Sequence, residues 1–358
     1  MDSLINSFIT FTYGMERDEI IITLLTMTLV LGVSILLLFI LQVVLHELGH
    51  LLFGLLTGYR MLSFRIFSHA LIKQSGKWTI RKYKCPGSAG QCILLPPDKI
   101  KQPFVLNVLG GVIFNAFTAA VAVFFALSSI PISFLARIII LIFAFYGFGF
   151  SLINGIPLNN LNVINDGAVL RDLRKDSLVV KCYYAQIKLA GYLMKGITYK
   201  DIPSEMLFLP AKANLTNSLI GYQKIIESYY YMDCGEWDKA RNALYAFSSS
   251  MKYCSMIKET VLLETMFLNV MTEQKPIKKV ELSNKLKNLL KARTHDFNVY
   301  RLWLAYEVSQ NFEKINKERI HKELDRMQKD YLYKGEALFC TSLINELLCK
   351  YGYEKALE

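Results

Sequence analysis

His46-Glu47-Leu48-Gly49-His50 sets two imidazoles four residues apart, with a carboxylate beside the first. Positions i and i+4 share one face of a helix, so both rings can meet a single divalent cation, with Glu47 next to them as general base. Zinc in such a setting lowers the pKa of water toward roughly 7, and an adjacent carboxylate takes the proton as oxygen attacks a carbonyl carbon. The implied chemistry is metal-assisted hydrolysis. The bland alternative is a chance pentapeptide. The setting argues against it, because residues 20–59 are otherwise uncharged and a charge at a membrane centre costs about 2.5 to 3.5 kcal/mol even on lenient scales.

A catalytic zinc site needs a third protein ligand and an open position. The stretch Asn154-Gly155-Ile156-Pro157-Leu158-Asn159-Asn160-Leu161-Asn162-Val163-Ile164-Asn165-Asp166-Gly167 holds Asp166, the sole acidic residue between Asp98 and Asp172. Spacing alone leaves two readings of Asp166 open, a ligand or an ordinary Asp-Gly surface turn. His69, His295 and His321 have no ligand partner at metal spacing.

The elements that must position these residues are membrane helices. Hydrophobic residues make up 53% of the 358, above the usual globular share, and they are concentrated before residue 158 in uncharged runs at 20–45, 104–136 and 138–157. A span of about 30 Å of hydrocarbon needs roughly 20 apolar residues. The expectation is three spans, over 20–59, 104–127 and 134–153, with the motif on the first. Glycines 49, 54 and 58 mark one flank of that helix for close packing, as do Gly110 and Gly111 on the second. Between the first two spans, residues 61–102 have the composition of loop and short strands, with strand-like pieces at 63–67 and 78–83. Asp2, Glu16, Asp18 and Glu19 around Arg17 are unlike the basic start of a cleavable signal peptide, so the first hydrophobic segment reads as retained.

Charge orients the spans. Nine basic residues stand against Asp98 between Arg60 and Lys101, whereas the hairpin at 128–133 carries no charge. The first loop is therefore expected in the cytoplasm, and with it everything after the third span. The net charge of +11 is spread over both halves without an aromatic-and-Arg pattern, which points to anionic headgroups of the lipid bilayer and away from nucleic acid. Seven irregularly spaced cysteines fit reduced thiols and neither a disulfide framework nor a zinc knuckle.

The expected division is a membrane-embedded core at 1–170 and a cytosolic all-α domain at 171–358. In the latter, Ser228, Tyr231, Gly235, Trp237, Ala240 and Leu244 recur at offsets resembling a tetratricopeptide helix pair, with an echo at 352–356. A plain helical bundle is the other reading. Either way the fold class is mainly α, a polytopic membrane protein with a short strand-containing loop.

The order of H-E-x-x-H, then Gly110-Gly111-Val112-Ile113-Phe114-Asn115, then Asn154-Gly155-Ile156-Pro157 followed by Asp166-Gly167 resembles the site-2 protease family of intramembrane zinc metalloproteases. The likeness covers about residues 20–170. It implies that His46, His50 and Asp166 hold Zn²⁺, that Glu47 activates water, and that Asn154 helps hold the substrate backbone. Asn115 has two readings, a substrate contact or a hydrogen bond between packed helices. Nine positions separate Pro157 from Asp166, more than is usual in the family. The polar insert 159–162 means that the chain must fold back to bring the carboxylate to the metal. No PDZ-like insertion is present, and the helical domain stands in as the partner-binding element.

The resemblance implies an endopeptidase that cuts a membrane-anchored protein in or near its transmembrane segment. An inactive protease-like scaffold presenting residues 171–358 to a cytosolic protein is the alternative, and the intact Glu47 argues against it. A transporter fits poorly, since three spans without internal repeats do not give alternating access.

Overall fold

Glu16 opens the first long helix with a capping box shared with Glu19, and an apolar sequence without proline carries α1 from Arg17 to Leu56. Its 40 residues span about 60 Å, twice a bilayer's hydrocarbon core. The helix stops where the Thr57 hydroxyl donates back to the Phe53 carbonyl at 2.8 Å and Gly58 takes φ +86°. The coordinates are a computed structural model describing residues 16–74, 77–82, 88–97, 104–158, 165–248, 253–272, 281–311 and 315–352.

Two further apolar helices follow, α2 (Phe104–Leu127) and α3 (Phe134–Gly155). Ser133 caps α3 by accepting from the Ala136 N–H. Arg137 donates to the Ala126 carbonyl at 2.6 Å, closing the α2–α3 turn. All three helices are long and apolar enough to cross a membrane, at the positions that the uncharged runs suggest. Their bulky side chains point outward, Phe124 at 72% and Phe145 at 75% exposure, while Ala119, Ala122 and Ala144 form the seam between α2 and α3. In lipid, where apolar surface gains little from contact with other apolar surface, small residues that admit close approach drive helix association. Gly49 and Gly110 show this most sharply, since a Cβ on Gly49 would lie 2.4 Å from the Gly110 carbonyl oxygen. Gly58 departs from the expected packing role. Nothing lies within 4 Å of its missing Cβ, and its left-handed φ serves the turn after α1.

One polar knot ties the three helices. Gln42 is fully buried, donates to the Phe143 carbonyl at 3.0 Å and accepts from the Asn115 amide at 2.9 Å.

Four strands separate α1 from α2. β1 (Arg60–Ile66) pairs antiparallel with β4 (Gly90–Leu95), from Arg60 opposite Leu95 to Ile66 opposite Gly90, with a register shift between Met61 and Ser63. β2 (His69–Gln74) and β3 (Lys77–Lys82) form an antiparallel hairpin. The expected strand-like pieces overlap β1 and β3, and Tyr83 lies outside the described residues.

The chain separates into two units, 1–67 with 85–172 and 68–84 with 173–358. The β2–β3 hairpin thus groups with the later helices, unlike a simple division at residue 170. The reason is burial: Ala70 and Ile72 cluster with Leu332, and Met194 and Tyr333 pack against them.

After α4 (Asp166–Lys175), the second unit is helical. It contains α5 (Ser177–Met194), α6 (Ser218–Asp233), α7 (Trp237–Tyr245), α8 (Ser255–Thr272), α9 (Asn284–Ala292), α10 (Phe297–Asn311), α11 (Lys317–Asp330) and α12 (Lys334–Lys350), with 3₁₀ turns at Tyr199–Asp201 and Ser204–Met206. Asn217 caps α6, Gly235 at φ +72° turns the chain into α7, and Ser228, Ala240 and Leu244 are buried in the pair. Ser228, Gly235, Ala240 and Leu244 belong to the pattern with repeat-like spacing, and Asn217 does not. Of the echo at 352–356, all but Gly352 lies outside the described residues.

The core of this unit holds an ion pair. Arg301 on α10 and Glu264 on α8 are fully buried, 2.7 Å apart. Tyr229 donates to Glu264 at 2.9 Å, and the guanidinium stands 4.2 Å above the Phe267 ring centroid. Removing one partner of such a pair strands a buried charge, at a cost of about 3–5 kcal/mol. Glu264→Ala should therefore lower the denaturant midpoint of the second unit, read as tryptophan fluorescence of the full chain. An unchanged midpoint would mean that the pair contributes nothing.

Candidate metal centre and active site

α1 presents His46 and His50 on one side of its C-terminal third. Their Nε2 atoms lie 3.2 Å apart, and Asp166 Oδ2 is 3.1 Å from the first and 3.4 Å from the second. Among the described residues this is the only group of three or more His, Cys, Asp or Glu side chains placed to hold a metal. Tetrahedral ligands at zinc's usual 2.0–2.1 Å stand about 3.3 Å from each other, which is the spacing seen here. The donor set fits as well. His50 Nδ1 donates to the Asn107 carbonyl at 2.8 Å, so Nε2, the ring atom that faces Asp166, is the one available to a metal.

Asp166 reaches this point because its neighbours fold the chain back. Asn165 accepts from the Ala168 N–H at 3.0 Å, capping α4, and its amide donates to the Ile153 and Ile156 carbonyls at 2.6 and 2.7 Å, at the end of α3. Gly167 allows the contact, since a Cβ there would lie 2.2 Å from the Gly155 carbonyl oxygen. The long separation from Pro157 is closed by these bonds, while the insert 159–162 lies outside the described residues. Burial raises the Asp166 carboxyl's pKa, but hydrogen bonds from and charge on His46 and His50 outweigh it and lower it to about 2. An aspartate held ionised suits a cation's ligand. Sequence reasoning passed over Asn165, although an Asn directly before an amphipathic helical run is a recognisable cap signal.

Glycines line the rest of the site. A Cβ on Gly111 would stand 2.6 Å from the His46 ring, so α2 can lie against that imidazole only as glycine. Glu47 is buried, and its carboxyl rests against Gly90 at the start of β4, where a Cβ would meet Glu47 Oε1 at 2.5 Å. Neither Gly90 nor its neighbour Arg65 stood out in the sequence.

The two candidate substrate-binding asparagines have hydrogen-bond partners within the helices. Asn115 is fully buried with its amide on Gln42. Asn154, in the last turn of α3, donates to the Phe150 carbonyl of its own helix at 3.0 Å.

No curated protein and no solved structure matches the chain. A family model does, over residues 34–309, a stretch that takes in both histidines, Glu47 and Asp166. With more than half its length matched, the chain belongs to Peptidase family M50, the site-2 protease family.

Proposed function

We propose that this protein is an intramembrane zinc endopeptidase, hydrolysing a peptide bond within or near the transmembrane segment of a membrane-anchored protein. The convergence of His46, His50 and Asp166 beside a buried Glu47, at the end of a membrane-length helix, carries the reading. His46 and His50 through Nε2, and Asp166 through Oδ2, would hold the metal. When bound, zinc supplies Lewis acidity, bringing the pKa of water toward about 7.

Glu47 takes the proton of the attacking water on its carboxylate and returns it to the leaving nitrogen. A substrate helix must unwind before its carbonyl can be attacked, because its backbone bonds are internal in lipid. β4 begins at Gly90, which lies against the Glu47 carboxyl, and among the described residues it pairs with β1 alone. Its other edge suits an unwound substrate strand. In this reading Asn154 and Asn115 steady the substrate and the helices around it.

The helical unit recruits or gates substrates from the cytoplasmic side, with the α6–α7 pair as a tetratricopeptide-like element. A catalytically dead scaffold would have no use for a base and three ligands kept together.

Reconstitution in lipid nanodiscs with a single-span protein tests the proposal. Cleavage inside the span is expected, stopped by a zinc chelator and restored by zinc. Metal-loaded protein that leaves every single-span substrate intact would count against it.

A further inference from the structure

Arg65 is 1% exposed and, among the described residues, has no carboxylate in ion-pair contact. From β1 its guanidinium reaches across to the turn before β4. Nη1 donates to the Phe67 carbonyl at 2.6 Å and the Ser88 carbonyl at 3.2 Å, and Nη2 to Ser88 Oγ at 3.1 Å and the Gly90 carbonyl at 3.2 Å. The Ser88 hydroxyl also donates to the Gly90 carbonyl, and the Phe67 N–H donates to Ala89 at 2.7 Å. Phe67 itself takes φ +50°, unfavourable for a bulky residue, and its carbonyl is one that Arg65 holds. A buried guanidinium is costly to desolvate, and an apolar side chain would fill the same space without that cost. What the cation achieves is the fixing of residues 88–90. Gly90 is also the residue whose bare Cα lies against the Glu47 carboxyl.

We infer that Arg65 is a positioning residue for the hydrolysis: it clamps the 88–90 turn so that Gly90 braces Glu47 in the orientation from which it handles the proton. The inference rests on the reading of Glu47 as the general base. A brace of this kind acts on the chemical step, since a displacement of about 1 Å at the reacting groups can cost roughly 10²-fold in rate. Metal binding involves neither Arg65 nor Gly90 and should be spared.

The test uses the full chain in nanodiscs and compares wild type with Arg65→Met, Arg65→Lys, Gly90→Ala and Glu47→Gln. Zinc per chain, kcat, KM and hydrogen exchange over 88–95 are measured. Arg65→Met and Gly90→Ala should keep zinc and KM within a few-fold while kcat falls by about 10- to 100-fold. Arg65→Lys, with its charge and some donors retained, should recover part of the loss, and exchange over 88–95 should quicken in Arg65→Met. Unchanged kcat in Gly90→Ala, or a loss in Arg65→Met that follows zinc or KM, overturns the inference. If Arg65→Met does not fold, Gly90→Ala and Arg65→Lys decide it by kcat. Wild-type cleavage by Glu47→Gln sinks the base assignment and the brace with it. Unaltered exchange in Arg65→Met sinks the clamp alone.

Discussion

Glu47→Gln should abolish cleavage while zinc stays bound. Glutamine has the shape of glutamate, so it fits against Gly90 where even one added Cβ would clash, and it leaves His46, His50 and Asp166 in place. It cannot take a proton at neutral pH. General acid–base groups contribute about 10²- to 10⁴-fold, and since Glu47 serves both the attack and the departure of the amine, a loss of about 10³-fold or more is expected. Turnover of a single-span substrate is to be measured on the same preparation as its zinc content. A variant that cleaves within tenfold of wild type would remove Glu47 from the mechanism.

Asp166→Asn should act through the metal. Asparagine keeps the size of aspartate, so the Asn165 bonds to α3 and the Gly167 contact with Gly155 survive, and what disappears is an anionic ligand. Loss of an outer-shell partner typically weakens metal affinity about 10- to 100-fold, and loss of a direct ligand should exceed that. Turnover should fall in step and recover partly when zinc is raised. Competition with a chelator of known affinity reads the first effect. Unaltered affinity and activity at low free zinc would mean that Asp166 is no ligand.

The parts of this protein that could be read from sequence are those in which neighbours along the chain decide the outcome. Long uncharged runs specify α1, α2 and α3 because nothing interrupts them, and the four-residue spacing of His46 and His50 places two imidazoles together on any helix. Asp166 was half legible. Its residue type and its place after a span suggested a ligand, but the device that returns it to the histidines is Asn165 bonding to carbonyls nine and twelve residues earlier, and no local pattern marks such a bond.

Gly90 and Arg65 were illegible for a related reason. Glycine in a loop of mixed composition has many uses, and only the fold brings residue 90 against Glu47. The β2–β3 hairpin shows the same limit, since Ala70 and Ile72 find their burial on Leu332, more than 250 positions away.

Elemental analysis of the full chain, purified in detergent without chelator, tests the central claim most directly. The account predicts one zinc per chain in the wild type and its loss when His46 and His50 are both replaced by alanine. Wild-type protein that is folded and carries no stoichiometric transition metal would contradict it.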